Sequence, residues 1–272
     1  MKVLNRDGQV YEGNFEEAQV QAAFWHTSAH VLAQAVKRLY PATKCAIGPA
    51  IEHGFYYDFE FDFSFTEEHL QKLEEEMKRI VKESLSLQVY EVEREEALAY
   101  MEKQNESYKV EMIRELPADE AISFYKQGEY TEFCAGPHIV STSYIRAIKL
   151  LSVAGAYWRG DEKNKMLTRI YGISFPKAAE LEQYLAYARE VAQDLQEQGV
   201  RVEIDERGEK LGYKIREARL DKVPYILILG EKEMQSRTVS VRCRDAEADK
   251  QDLGAMSLRE FIELVRQKMS CE

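Results

Sequence analysis

His26-Thr-Ser-Ala-His30 and Cys134-Ala-Gly-Pro-His138 are the two stretches on which the reading of this chain turns. The 272 residues include five histidines and four cysteines, and these segments take three of the former and one of the latter. Residues i and i+4 of a helix share a face, so His26 and His30 on a helix converge on one point. Gly136-Pro137 disfavours a regular helix in the second segment, which predicts a loop exposing the Cys134 thiol and the His138 imidazole. Four such side chains suit tetrahedral zinc, and they suit metal-free acid–base work around a polarised carbonyl equally well. Either chemistry points to hydrolysis. Taken singly, each segment also reads as something plainer: two polar residues on a helix face, and a tight turn with a buried cysteine.

Residues 16–39 carry apolar side chains at helical spacing and stop before Pro41. Residues 65–85 predict a second helix, with Leu70, Leu73, Met77, Ile80 and Val81 on one face and charge on the other. Gly48-Pro49 opens a turn, and 55–63 then alternates aromatic and acidic residues as a half-buried strand does. Residues 147–175 are strand-like and punctuated by glycine. The part from 1 to 175 is therefore expected to be an α+β domain with antiparallel strands. Residues 176–198 predict a helix joining two domains, with Ala178, Leu181, Tyr184, Leu185, Ala188, Val191 and Leu195 on one face. Beyond it come an alternating strand at 200–204, a helix at 211–221, the apolar run Tyr225-Ile-Leu-Ile-Leu229 and a second alternation at 239–243. A helix at 257–269 follows, with Ser257 as N-cap and Glu260 as its capping-box partner. Strands separated by helices predict a small α/β domain at 199–272 with a mixed or parallel sheet.

Apolar residues are 45% and charged residues 31%, as in ordinary globular proteins. No run of about 18 apolar residues is present, so no membrane partner is expected. The first residues lack an apolar signal core. Cysteines at 45, 134, 243 and 271 are too scattered for a disulfide framework, which implies a reducing cytoplasm. A net charge of −11 argues against general nucleic-acid binding, DNA included. An RNA binder nevertheless needs a basic track and not a basic total, and 210–219 is locally basic. The acidic stretch 52–76 reads as a solvated face.

Further motifs carry a resemblance. Together with the two opening segments, Cys45-Ala-Ile-Gly-Pro49, Gly54-Phe-Tyr-Tyr-Asp58, Glu106-Ser-Tyr-Lys109 and Ser152-Val-Ala-Gly-Ala-Tyr-Trp-Arg-Gly-Asp161 resemble the editing domain of bacterial threonyl-tRNA synthetases. Glu209-Lys-Leu-Gly-Tyr-Lys-Ile-Arg-Glu-Ala218 and Asp252-Leu-Gly-Ala-Met256 resemble that family's anticodon-binding domain. The resemblance covers nearly the whole chain. The family's synthetase core should lie between these halves, and here the helix at 176–198 joins them directly. The family's N-terminal ubiquitin-like domain is reduced to a remnant at 1–15.

The resemblance implies a freestanding deacylase that hydrolyses serine from mischarged tRNA(Thr) and performs no aminoacylation. Serine lacks one methyl of threonine, a difference worth only about 1–3 kcal/mol to a binding pocket, so a second site must remove the error. The implied catalytic residues are His26, His30, Lys109, Cys134 and His138, with Tyr125 and Glu132 binding substrate. His26 is the expected proton partner of the water or ribose, and Lys109 is expected to stabilise negative charge. Glu132 stands where the family usually has Asp, and Ala135 where it usually has Arg. No cofactor is required by this route, while the alanyl-type relatives hold zinc with a set like His26, His30, Cys134 and His138. The resemblance also assigns anticodon contacts to Glu233 and Arg242. Lys210, Lys214, Arg216 and Arg219 are candidate phosphate contacts, with a surface ion-pair network as the alternative. A monomer is expected. The competing reading is a catalytically idle tRNA-binding regulator or decoy.

Overall fold

The computed structural model describes residues 1–52, 54–205, 211–244 and 251–269, without the side chains of 211–213, 231, 235 and 269. The chain forms two units, Met1–Ala178 and Ala179–Glu272. Among the described residues no helix is long and apolar enough to cross a membrane.

In the first unit the elements run β1 (Lys2–Leu4), β2 (Val10–Glu12), α1 (Ala18–Leu39), β3 (Lys44–Cys45), β4 (Ala50–Ile51), β5 (Gly54–Glu60), α2 (Glu67–Lys82) and β6 (Leu87–Val92). They continue with α3 (Arg94–Lys103), α4 (Ser107–Glu115), β7 (Ile122–Gln127), β8 (Tyr130–Phe133), β9 (His138–Ile139), β10 (Ala147–Tyr157) and β11 (Met166–Phe175). Three antiparallel sheets result, in the orders β2-β1-β9, β10-β11-β5-β3 with β4 also on β5, and β6-β7-β8. From Val20 to Val36 helix α1 buries most of its residues, Thr27, Ser28, His30 and Gln34 included, so it lies inside the unit. It packs against α2 and β5, and Trp25 Nε1 anchors it to the Ser174 carbonyl at 3.0 Å. Thr66 caps α2, which buries Leu70, Leu73, Met77 and Ile80 as the spacing predicts; Val81 stays half-exposed.

One expectation for this unit changes. The acidic stretch is not wholly a solvated face, because Asp58 and Glu76 are buried. Each is offset by a guanidinium: Arg169 pairs with Asp58 through two hydrogen bonds, and Arg38 reaches Glu76 at 3.1 Å. A buried carboxylate needs such a partner. The first fifteen residues contribute to the unit's sheets. They form a hairpin whose inner strand pairs Val3 with Ile139 and Leu4 with His138, which holds the strand carrying a site residue.

The second unit comprises α5 (Ala178–Glu197), α6 (Leu211–Leu220), β12 (Tyr225–Ile228), α7 (Glu231–Ser236), β13 (Thr238–Cys243), β14 (Asp252–Ser257) and α8 (Leu258–Met269). Its sheet has the order β12-β13-β14 and every described pairing is antiparallel, in contrast to the mixed or parallel sheet expected. The joining helix is α5, and its packing places it in this unit. Tyr187, Val191 and Leu195 share a core with Val239, Val241, Phe261 and Val265. The buried face is therefore shifted from the expected one: Leu185 is exposed, and Tyr187 turns inward to donate to the Thr238 carbonyl at 2.7 Å. Residues 201–205 form no strand, although Val200 and Val202 pack on the same core. At α8, Ser257 and Glu260 form the reciprocal cap that the sequence predicts.

Candidate functional site

Helix α1 brings His26 and His30 to one side, and the loop after β8 brings Cys134 and His138 to meet them. One ligand atom from each of these four residues lies within 4.8 Å of every other. Cys134 Sγ is 3.4 Å from His26 Nε2 and 3.3 Å from His138 Nε2. The loop is held from β7, where Ser123 accepts from the Cys134 amide at 3.1 Å and donates to its carbonyl at 2.6 Å. Gly136 is required here: its φ is +65°, and a Cβ would stand 2.1 Å from the Tyr125 hydroxyl. The loop does not expose the imidazole as expected. His138 and His30 are buried, and Cys134 and His26 are half-buried.

The hydrogen-bond partners fix where each ring keeps its proton. A carbonyl only accepts, so His26 Nδ1 donates to Pro137 O at 3.3 Å and Nε2 carries the lone pair. Thr27 Oγ1 donates its single proton to Ala23 O at 2.8 Å, so at 3.1 Å it accepts from His138 Nδ1. It also accepts from the Ile139 amide at 3.0 Å. His138 Nε2 is thus a lone pair as well. His30 Nε2 faces the Glu132 carboxylate at 3.4 Å, which leaves Nδ1 as its lone-pair atom. Burial, with His30 adding to it, lowers His26 to about 3, and burial lowers His30 and His138 too; all three rings are neutral at pH 7. Burial and the nearby Glu132 push the Cys134 thiol up to about 12.

Two neutral imidazoles, His26 and His138, turn lone pairs to one thiol, and all three rings are backed by a carbonyl, hydroxyl or carboxylate, as metal ligands are. Zinc bond lengths imply a nitrogen-to-sulfur edge of about 3.6 Å in a tetrahedron, close to both distances to Cys134. The residues present therefore fit zinc.

Beside this cluster, Lys109 on α4 pairs with Glu132 on β8 at 2.5 Å, both almost fully buried. Burial alone would lower the Lys109 ammonium, but Glu132 holds it above its usual range. Burial alone would raise Glu132, but His30, Lys109 and the Tyr57 hydroxyl bring it down to about 2. The Tyr125 ring lies against the His138 ring at a tilt of 57°, with centroids 4.4 Å apart, and its buried hydroxyl has no partner among the described residues. Thr27, Tyr57 and Tyr130 were missed as site residues. All three lie in or next to segments singled out in the sequence, but a hydroxyl partner becomes visible only once strands and helices are paired.

In the second unit Glu233 accepts from the Gly230 amide and from the Ser240 hydroxyl, at 2.9 and 2.7 Å. Arg242 lies 3.4 Å from Asp252, and its buried Nε has no partner among the described residues. Lys214 donates to the Asp205 carbonyl at 2.9 Å, and Arg219 to the Gln251 side chain. Arg216 lies on α6. Lys210 lies outside the described residues.

Comparison with known proteins matches residues 122–171 to the second additional domain of threonyl and alanyl tRNA synthetases, and 172–268 to an anticodon-binding domain. A threonine–tRNA ligase of Clostridium botulinum is 58% identical over 185 residues, 68% of this chain and 29% of the ligase. One from Clostridium tetani is 56% identical over 190 residues, 70% of this chain and 30% of the ligase. The chain is homologous to threonine–tRNA ligases. It spans under a third of the length of these relatives, and its two matched domains adjoin with no synthetase core between them. The RNA-binding domain of a Cryptosporidium parvum threonyl-tRNA synthetase aligns over 78% of this chain and 62% of its own, at 14% identity and a TM-score of 0.29, too low a likeness to argue from.

Proposed function

We propose that this chain is an aminoacyl-tRNA deacylase that acts in trans on seryl-tRNA(Thr). The observation that carries the reading is the convergence of His26, His30, Cys134 and His138 beside the buried Lys109–Glu132 pair. The reaction adds water to the ester carbonyl carbon, forms an oxyanion, and releases serine and the ribose hydroxyl. His26 Nε2, its ring held by Pro137 O, accepts a proton from the attacking water and returns one to the departing ribose oxygen. Lys109, kept cationic by Glu132, lies in a low-dielectric site where a positive charge near the developing oxyanion acts strongly. Cys134, protonated as the resting thiol, orients the water or the ester and is not a nucleophile. Tyr125 offers its unpartnered hydroxyl to the substrate.

Zinc is the second reading of the same residues, favoured by the convergent lone pairs. His26, His30, Cys134 and His138 would hold it. It would supply Lewis-acid polarisation if one of the four positions opened to water, whereas four protein ligands close the shell and make it structural. Elemental analysis of the purified protein, with deacylation before and after chelation, separates these cases.

The functional test is deacylation of seryl-tRNA(Thr), seryl-tRNA(Ser) and threonyl-tRNA(Thr). Hydrolysis of the first should exceed that of the last by at least about tenfold, the discrimination one methyl group supports. Equal rates on both would end the proofreading reading. Anticodon-dependent binding without turnover would instead leave a regulator or decoy.

A further inference from the structure

The Glu132 carboxylate is fully engaged inside the protein. At Oε1 it accepts from the Tyr57 hydroxyl and from Lys109 Nζ. At Oε2 it accepts from the Tyr130 hydroxyl at 2.9 Å, and His30 Nε2 stands 3.4 Å away. An ionised carboxylate offers about four lone-pair sites, and four groups address it here. These groups come from α1, β5, α4 and β8 itself, so one side chain links four elements at the floor of the site. Its own exposure is 3%, and no lone pair is left for a ligand.

We propose that Glu132 is a positioning residue and not the receptor for the α-ammonium of the substrate: it keeps the His30 proton on Nε2 and fixes Lys109 Nζ beside the reacting ester. This rests on the deacylase reading for its reaction but not for its geometry. A substrate ammonium at Glu132 would have to displace a buried cation or a hydroxyl. The displaced group would then be left unsatisfied, at a cost that a single new ion pair does not recover.

The test uses the full-length protein and two ligands: a non-hydrolysable amide analogue of seryl-adenosine, and the same analogue without its α-amino group. If Glu132 positions, Glu132→Gln slows single-turnover deacylation about 10–100-fold, as loss of an outer-shell partner does. It leaves KM within about twofold. It also leaves the ratio of affinities for the two analogues unchanged, and it shifts the ¹⁵N resonances of His30 away from the Nε2-protonated tautomer. Glu132→Asp should recover part of the rate. Loss of the preference for the amino-bearing analogue in Glu132→Gln would overturn the proposal, as would an unshifted His30 spectrum. If Glu132→Gln does not fold, Glu132→Asp, which keeps the charge but shortens its reach to His30 and Lys109, takes its place: an unchanged analogue ratio with a slowed single-turnover rate supports positioning, and a lost preference or an unslowed rate overturns it. Absence of turnover in the wild-type protein would refute the deacylase reading alone, since the analogue ratio and the His30 tautomer are read without turnover.

Discussion

Three imidazoles kept neutral in one buried cluster give the stability of the first unit a recognisable pH dependence. An unfolded histidine titrates at the ordinary value of 6.5, whereas folding lowers His26 to about 3 and lowers His30 and His138 as well. Below pH 6.5 the unfolded chain therefore binds more protons than the folded one, so stability rises with pH. The contribution is fully present above 6.5 and is lost as pH falls towards 3. For His26 alone the loss by pH 5.5 is about 1 kcal/mol. Urea midpoints of chelator-treated protein should fall steadily between pH 7.5 and 5.0, before ordinary carboxylates protonate, and His26→Gln should make that fall shallower. A midpoint that stays flat to pH 5.0 would contradict neutral burial of the three rings. The sequence spacing located these histidines, but it could not locate their partners. Thr27 and the Pro137 carbonyl set two tautomers through contacts 111 residues apart, a distance that no local pattern encodes.

At the scale of elements, the loop between β8 and β9 works because one residue has no side chain. Gly136→Ala would force a φ of +65° on alanine and drive its Cβ into the Tyr125 ring and hydroxyl. The left-handed conformation alone costs roughly 1–2 kcal/mol. With the steric conflict added, the expected loss in urea unfolding is at least about 2 kcal/mol, together with collapse of deacylation; a loss below about 0.5 kcal/mol would mean the loop has room to move. The periodic segments α1, α2 and α8 were legible because each couples a strong apolar stripe to a clear start or stop. Other elements misled for identifiable reasons. Residues 200–204 alternate like a strand, but Val200 and Val202 satisfy their apolar faces on the core without a ladder partner among the described residues. In α5 the sequence offers two apolar faces, and the sheet selects the one with Tyr187, whose hydroxyl finds the Thr238 carbonyl. The hairpin at the start of the chain is too short to show a period, and only its pairing with β9 reveals that it supports His138.

For the whole molecule, the ownership of α5 decides how the two units can be separated. A cut at 199 removes Tyr187, Val191 and Leu195 from the core that holds Val239, Val241, Phe261 and Val265. Truncating even one buried leucine typically costs about 2–5 kcal/mol, so residues 199–272 alone should not fold, whereas 176–272 should. The informative truncation is therefore residues 1–177, which keeps the first unit's site and discards the second unit with its helix. A freestanding editor must capture tRNA from solution, and a second weak contact on the same rigid tRNA raises the effective concentration of the ester at the site. On the proposed function, 1–177 should hydrolyse seryl-tRNA(Thr) with a single-turnover rate within about twofold of the full chain when saturated. Its KM should rise by about tenfold or more, and its preference for seryl-tRNA(Thr) over seryl-tRNA(Ser) should shrink. Arg242→Ala in the full chain should reproduce part of that change, because its guanidinium, 37% exposed and 3.4 Å from Asp252, can reach an RNA base. If 1–177 discriminates between the two seryl-tRNAs as well as the full chain does, the second unit is not reading the anticodon, and selectivity must arise from the acceptor end bound in the first.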